Sequence, residues 1–201
     1  MKLSYLAAAA ALSVALAQGA LAQNLVQNPG FETGNLDGWS AGDPFILAIA
    51  DFAHTGTWSL YMGSNKPNRP MNQALATTPG ETYDVSFWLE NIQVHDPLGN
   101  HFSAFFGGTP GMMDGQLLLD VTNLTRGPYV MYSDVVTANS STTLLQFFEN
   151  NANDIFYLDD VSVTVHGAGS SVPEPGALAL LTGLGVSGSL FAVRRLRRRG
   201  K

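Results

Sequence analysis

The chain has no cysteine. No disulfide can staple it, so packing or a bound cation must supply the stability. Positive charge is scarce in its middle: between residues 23 and 171 only Lys66, Arg69 and Arg126 stand against fifteen acids, a balance of −12. Nucleic acid and anionic membrane surfaces require basic patches, so neither is an expected partner. The same stretch lacks any sustained 3.6-residue apolar period, which excludes an amphipathic helical bundle. His54, His95, His101 and His166 show no metal-ligand spacing. Gly107, Gly108 and Gly111 share a loop with Pro110 instead of joining a strand to a helix, so they cradle no phosphate, and no nucleophile elbow is present. Asp159 and Asp160 are adjacent on one strand and are expected to face opposite ways, which excludes a paired acid and base. The reading is non-enzymatic.

Long apolar runs occur at the two ends. Residues 1–22 have the three parts of a secretory signal: Lys2, an apolar core from Leu6 to Leu16, and Ala20-Leu21-Ala22 as a small-x-small cleavage site. Cleavage is expected after Ala22, with Ala17 as the second option and an uncleaved signal anchor as the alternative. At the other end, Val172-Pro173-Glu174-Pro175 precedes eighteen uncharged residues, Gly176 to Val193, and then Arg194, Arg195, Arg197, Arg198, Arg199 and Lys201. Proline interrupts any helix at the triplet. Eighteen residues make a helix of about 27 Å, enough for a bilayer core. The basic cluster stays cytoplasmic, which puts the preceding chain outside. Triplet, span and basic end in this order resemble a PEP-CTERM sorting signal, the tag of bacterial exosortases. The resemblance implies a Gram-negative exporter, a precursor anchored in the inner membrane, and an exosortase that recognises residues 172–175 and removes the tail. The product would then sit at the cell surface or in the extracellular matrix. An ordinary single-span anchor is the alternative.

Between these ends the chain reads as short strands punctuated by turn residues. Leu25-Val26 can start one. Further strands are expected over Phe45–Ala50, Thr57–Met62, Met71–Ala76, Tyr83–Glu90, Phe102–Phe106, Gln116–Val121, Tyr129–Thr137, Thr142–Glu149 and Ile155–Val165. Ser64 to Pro70 reads as a loop. In the fifth run Tyr83, Val85, Phe87 and Leu89 point one way and Asp84, Ser86, Trp88 and Glu90 the other. Short strands separated by Gly, Pro and Asn turns predict an all-β sandwich. Gly167 to Ser171 is a short linker to the tail.

Three segments carry a second resemblance. They are Asn28-Pro29-Gly30-Phe31-Glu32 with Gly38-Trp39, His54-Thr55-Gly56-Thr57-Trp58-Ser59-Leu60, and Phe156-Tyr157-Leu158-Asp159-Asp160-Val161-Ser162-Val163. With Pro79-Gly80-Glu81-Thr82-Tyr83 between them, their order resembles the carbohydrate-binding module 4/9 type of galactose-binding-like jelly roll over residues 23–166. That resemblance implies a structural calcium tying the first segment to the last strand. Glu32 and Gly30 would supply a carboxylate and a carbonyl, His54 and Thr57 further carbonyls, and Asp159 or Asp160 the second carboxylate. Asp159 has the parity of Val161 and Val163 and is expected to point inward, where a carboxylate needs a cation or donors. The alternative is that Glu32 and Asp159 simply accept turn amides.

The resemblance also implies a sugar site built from aromatic rings beside polar side chains. Trp88 is the leading candidate platform, with Glu90 on its face and Asn91 just beyond, and Tyr61 and Phe148 behind them. A ring on a polar face can instead cover neighbouring strands. Trp39 and Trp58 read as core. The function that follows is an exported surface or matrix protein associated with exopolysaccharide and binding carbohydrate. The rival is a structural or adhesive protein whose jelly roll contacts other proteins.

Overall fold

Alternation of apolar and polar residues, bounded by glycine, proline and asparagine turns, produces ten strands in a computed structural model that describes residues 23–63, 66, 68–92, 99–150 and 155–168. The expected signal peptide, the sorting motif with its apolar span and basic tail, and residues 169–171 of the linker lie outside the described residues. Among those described, no helix is long and apolar enough to cross a membrane. They belong to one unit, Leu21–Gly169, whose own closed core meets the requirement for folding alone.

The strands are β1 (Ser40–Ala41), β2 (Ile46–Ile49), β3 (Ser59–Met62), β4 (Arg69–Ala76), β5 (Thr82–Ile92), β6 (His101–Phe106), β7 (Gln116–Thr122), β8 (Gly127–Thr137), β9 (Thr142–Asn150) and β10 (Ile155–Val165). They form two antiparallel sheets of five, in the orders β1-β4-β9-β6-β7 and β2-β3-β10-β5-β8. The inner faces enclose an aromatic core: Phe87 meets Phe147 edge-on at 5.1 Å and Phe102 meets Phe156 at 5.3 Å. Trp39 closes one side against Phe31 and Phe147, as its expected core role requires, and Trp58 is partly buried against the same core. β5 alternates strictly, with Tyr83, Val85, Phe87 and Leu89 buried.

Three expectations change. Leu25-Val26 forms no strand: Leu25 N–H reaches the Val163 carbonyl, but the Asn24 side chain takes the neighbouring Val161 carbonyl and Val163 N–H in place of a ladder. β4 starts inside the expected loop, because Arg69 and Pro70 pair with Glu149 and Phe148 of β9 and Gly42 N–H bonds to the Pro70 carbonyl. The third concerns β10. Its register against β5 shifts between Asp159 and Ser162, and Asp160 has φ 47°. This bulge inserts an extra residue, so Phe156 and Leu158 before it and Val161 and Val163 after it all face the core. Asp159 therefore shares its side with Tyr157 on the outer face, not with Val161.

Candidate functional site

Asp159 is fully buried although it lies on the outer face of its sheet, because the segment between β2 and β3 folds back across that face. Ser59 Oγ donates to the Asp51 carbonyl at 2.7 Å and Tyr129 Oη to the Phe52 carbonyl at 2.7 Å. The Asp159 carboxylate accepts the amides of His54 (2.7 Å), Thr55 (3.2 Å) and Asp160 (2.7 Å). Burial pushes its pKa up to about 6, against the lowering effect of these amide bonds. Glu32 holds the other end of the same turn, accepting from Thr57 and Trp58 N–H at 2.9 Å each. Gly56 adopts φ 71° there, and a Cβ would collide with the Glu32 carboxylate. Asp160 does not point away from its neighbour as two adjacent strand residues would: the bulge swings it onto the same turn. Its Oδ2 accepts from His54 Nδ1 and its Oδ1 from Thr55 Oγ1, both at 2.6 Å.

Gly30, Glu32, His54, Thr57 and Asp159 are thus assembled in one place. A Cβ built on Gly30 would stand 3.3 Å from Asp159 Oδ1, 3.6 Å from Asp160 Oδ1 and 3.7 Å from Glu32 Cγ. Both carboxylates accept turn amides. Among the described residues no three His, Asp or Glu side chains gather as a metal cluster, so a cation here would draw on backbone carbonyls as well. The oxygen-only donor set, with lone pairs remaining on both carboxylates, is of the kind calcium takes.

Trp88 lies beside Asp159 on the same outer face. The His54 ring stacks on it at 3.8 Å and 18°, with Tyr129 edge-on to His54. One face of the Trp88 ring is therefore taken, and the indole acts as a bed for the 54–57 turn. An open ring that sequence pattern missed is Phe52, 45% exposed and stacked on Tyr157 at 4.8 Å. Direct pairing across β2, β3, β10 and β5 sets Leu47, Tyr61, Tyr157 and Glu90 in one row, and side chains directly opposite share a face. Burial first, and then Tyr61, Asp51 and Glu90, push the Tyr157 hydroxyl up to about 12. Burial raises Glu90 and the nearby Arg126 opposes it.

The other predicted ligand residues fall elsewhere. Asn91 follows the alternation of β5 inward, so it is buried and separated from Trp88 and Glu90. Its Nδ2 donates to the Leu124 carbonyl, and its Oδ1 has no partner among the described residues. Phe148 lies on the outer face of the β1-β4-β9-β6-β7 sheet, edge-on to Phe105 at 5.8 Å, and is buried. The β6–β7 loop reaches across that face and is fastened by Gln146, which accepts from Gly111 N–H and donates to the Gly107 carbonyl, both at 2.9 Å.

No family model matches the chain. Endo-1,4-beta-xylanase A of Thermoanaerobacterium saccharolyticum is 26% identical over 149 residues, 70% of this chain but 12% of that protein. The chain thus spans about an eighth of the length of this curated relative. Solved structures resemble the domain over nearly their whole length. The CBM22-1 xylan-binding domain of Paenibacillus barcinonensis Xyn10C superposes with a TM-score of 0.54 at 18% identity, covering 72% of this chain and 95% of that one. The C-terminal family 22 carbohydrate-binding module of Clostridium thermocellum Xyn10B gives 0.55 at 19%, covering 70% and 92%. TmCBM61, solved with β-1,4-galactotriose, gives 0.54 at 18%, covering 72% and 99%. The fold is that of the carbohydrate-binding-module jelly rolls. Modules of families 22, 61 and 16 are among the structures that share it.

Proposed function

We propose that the domain is a non-enzymatic carbohydrate-binding module that contacts a polysaccharide through the outer face of the β2-β3-β10-β5-β8 sheet. One observation carries this reading. Phe52 keeps a half-exposed ring while its backbone sits at φ 53°, a left-handed conformation that costs a non-glycine residue roughly 1–2 kcal/mol. Strain retained under an exposed aromatic points to use. The ring offers a stacking surface, and Tyr61 and Glu90 offer hydrogen-bonding groups in the adjacent row. Trp88 supports this face from beneath the 54–57 turn, and a calcium between Glu32 and Asp159 would fasten that turn to β10.

The folded unit, residues 23–168, is expected to be retarded in gels containing the host's exopolysaccharide or xylan. Phe52→Ala should abolish retardation without loss of folding, and Tyr61→Ala should weaken it several-fold. A folded domain retarded by no glycan would move the reading to an adhesive protein that contacts other proteins.

Beyond the domain, the sorting resemblance supports export and exosortase processing, with a product at the surface or in the matrix of a Gram-negative cell. Mass spectrometry of the mature protein should find the chain cut near Val172-Pro173-Glu174-Pro175. A mature protein that keeps Arg194 to Lys201 would reduce the tail to an ordinary anchor.

A further inference from the structure

Asn91 is 2% exposed, and its Oδ1 is buried without a hydrogen-bond partner among the described residues. An unmet buried acceptor is costly, because it has lost its water without gaining a donor. Asn91 lines a cleft of about 170 Å³, together with Leu89, Leu124, Arg126, Pro128 and Val130. The register explains the opening: β5 and β8 pair regularly up to Leu89 and Val130, then slip so that Asn91 stands opposite Gly127. The slip and the absence of a side chain at Gly127 leave a gap where the next cross-strand pair would pack.

We infer that this cleft receives one neutral sugar ring, a hydroxyl of which donates to Asn91 Oδ1. Size, lining and charge each bear on the choice. At about 30 Å³ per water the volume holds roughly half a dozen waters, below the several hundred Å³ of a pocket for larger ligands. Leu89, Pro128 and Val130 provide apolar walls for C–H faces. Arg126 provides donors for ring or hydroxyl oxygens, complementary to the acceptor on Asn91. A uronate is disfavoured because Glu90 already lies close enough to Arg126 to feel its charge, and the domain around it carries −12. The proposal rests on the carbohydrate-binding reading, but it occupies the inward side of β5, apart from the Phe52–Tyr61 row.

The test is NMR of the ¹⁵N-labelled unit, residues 23–168, titrated separately with xylose, galactose, glucose and sodium glucuronate. At least one neutral sugar should shift the Asn91 side-chain amide saturably. Val130→Trp, which fills the cleft from an exposed edge position, should weaken that response at least tenfold with the fold intact. Arg126→Met repeats the test at another exposed position if the tryptophan disturbs β8. No saturable shift at Asn91 with any neutral sugar, a response to glucuronate alone, or a response undiminished in both variants would each overturn the assignment. Failure here separates from failure of the face: glycan-gel retardation that depends on Phe52 while Asn91 stays silent removes the cleft and keeps the module.

Discussion

Glu32 and Asp159 show how much one carboxylate can organise at the level of the residue. Between them they accept four amides of the 54–58 turn. That alone would hold the turn, and so calcium is separable from it by experiment. A ligand at a hundredfold its Kd adds about 2.7 kcal/mol to stability, worth roughly 8 °C in a domain of this size. The wild-type unit should melt that much higher in saturating calcium than in chelator. Asp159→Asn keeps one oxygen for the His54 and Thr55 amides, gives up the Asp160 amide bond and drops the charge, so it should fold with a lower melting temperature and lose most of the calcium increment; Glu32→Gln, whose Oε1 alone can accept both Thr57 and Trp58, should lose the increment too. Equal melting with and without chelator would leave amide capping as the whole role of the pair.

Among the elements, what alternation controls was legible and what long-range partners control was not. β10 runs from Ile155 to Val165 as its apolar pattern predicts, and β5 buries the four residues that its period assigns. The facing of Asp159 was not legible, because parity counts through a strand only while the strand is regular. The bulge at Asp160 is fixed by groups more than a hundred residues away, the Thr55 hydroxyl and the His54 ring on one side and the Asn24 side chain on the other. The site divides the same way. Tyr61 and Glu90 came from strand periodicity. Phe52 lies in a connection without a period, and only the stack on Tyr157 and the Tyr129 hydroxyl give it a role. Asn91 belonged to the right strand and the wrong side: one step of alternation separates it from Glu90 and moves it from an exposed row to a buried cleft.

For the whole molecule, charge decides which polysaccharides can approach. Fifteen acids against three bases leave the domain at −12, and an anionic glycan would meet that repulsion before any contact formed. Two of the three bases do not oppose it freely: Lys66 and Arg69 both approach the buried Asp43 carboxylate at 3.7 Å. The third, Arg126, has Glu90 nearby. On the proposed reading, recognition is left to ring stacking and hydroxyl hydrogen bonds, neither of which needs a bare counter-charge. Salt distinguishes the two regimes, because screening shortens from about 10 Å at 0.1 M to about 3 Å at 1 M. Retardation by a neutral glycan should change less than about twofold across that range. If an acidic exopolysaccharide is bound at all, its affinity should rise with salt as the repulsion is screened. Affinity for an acidic polymer that falls steeply with salt would mean attraction by a basic surface, and the assignment of a neutral ligand would have to be given up.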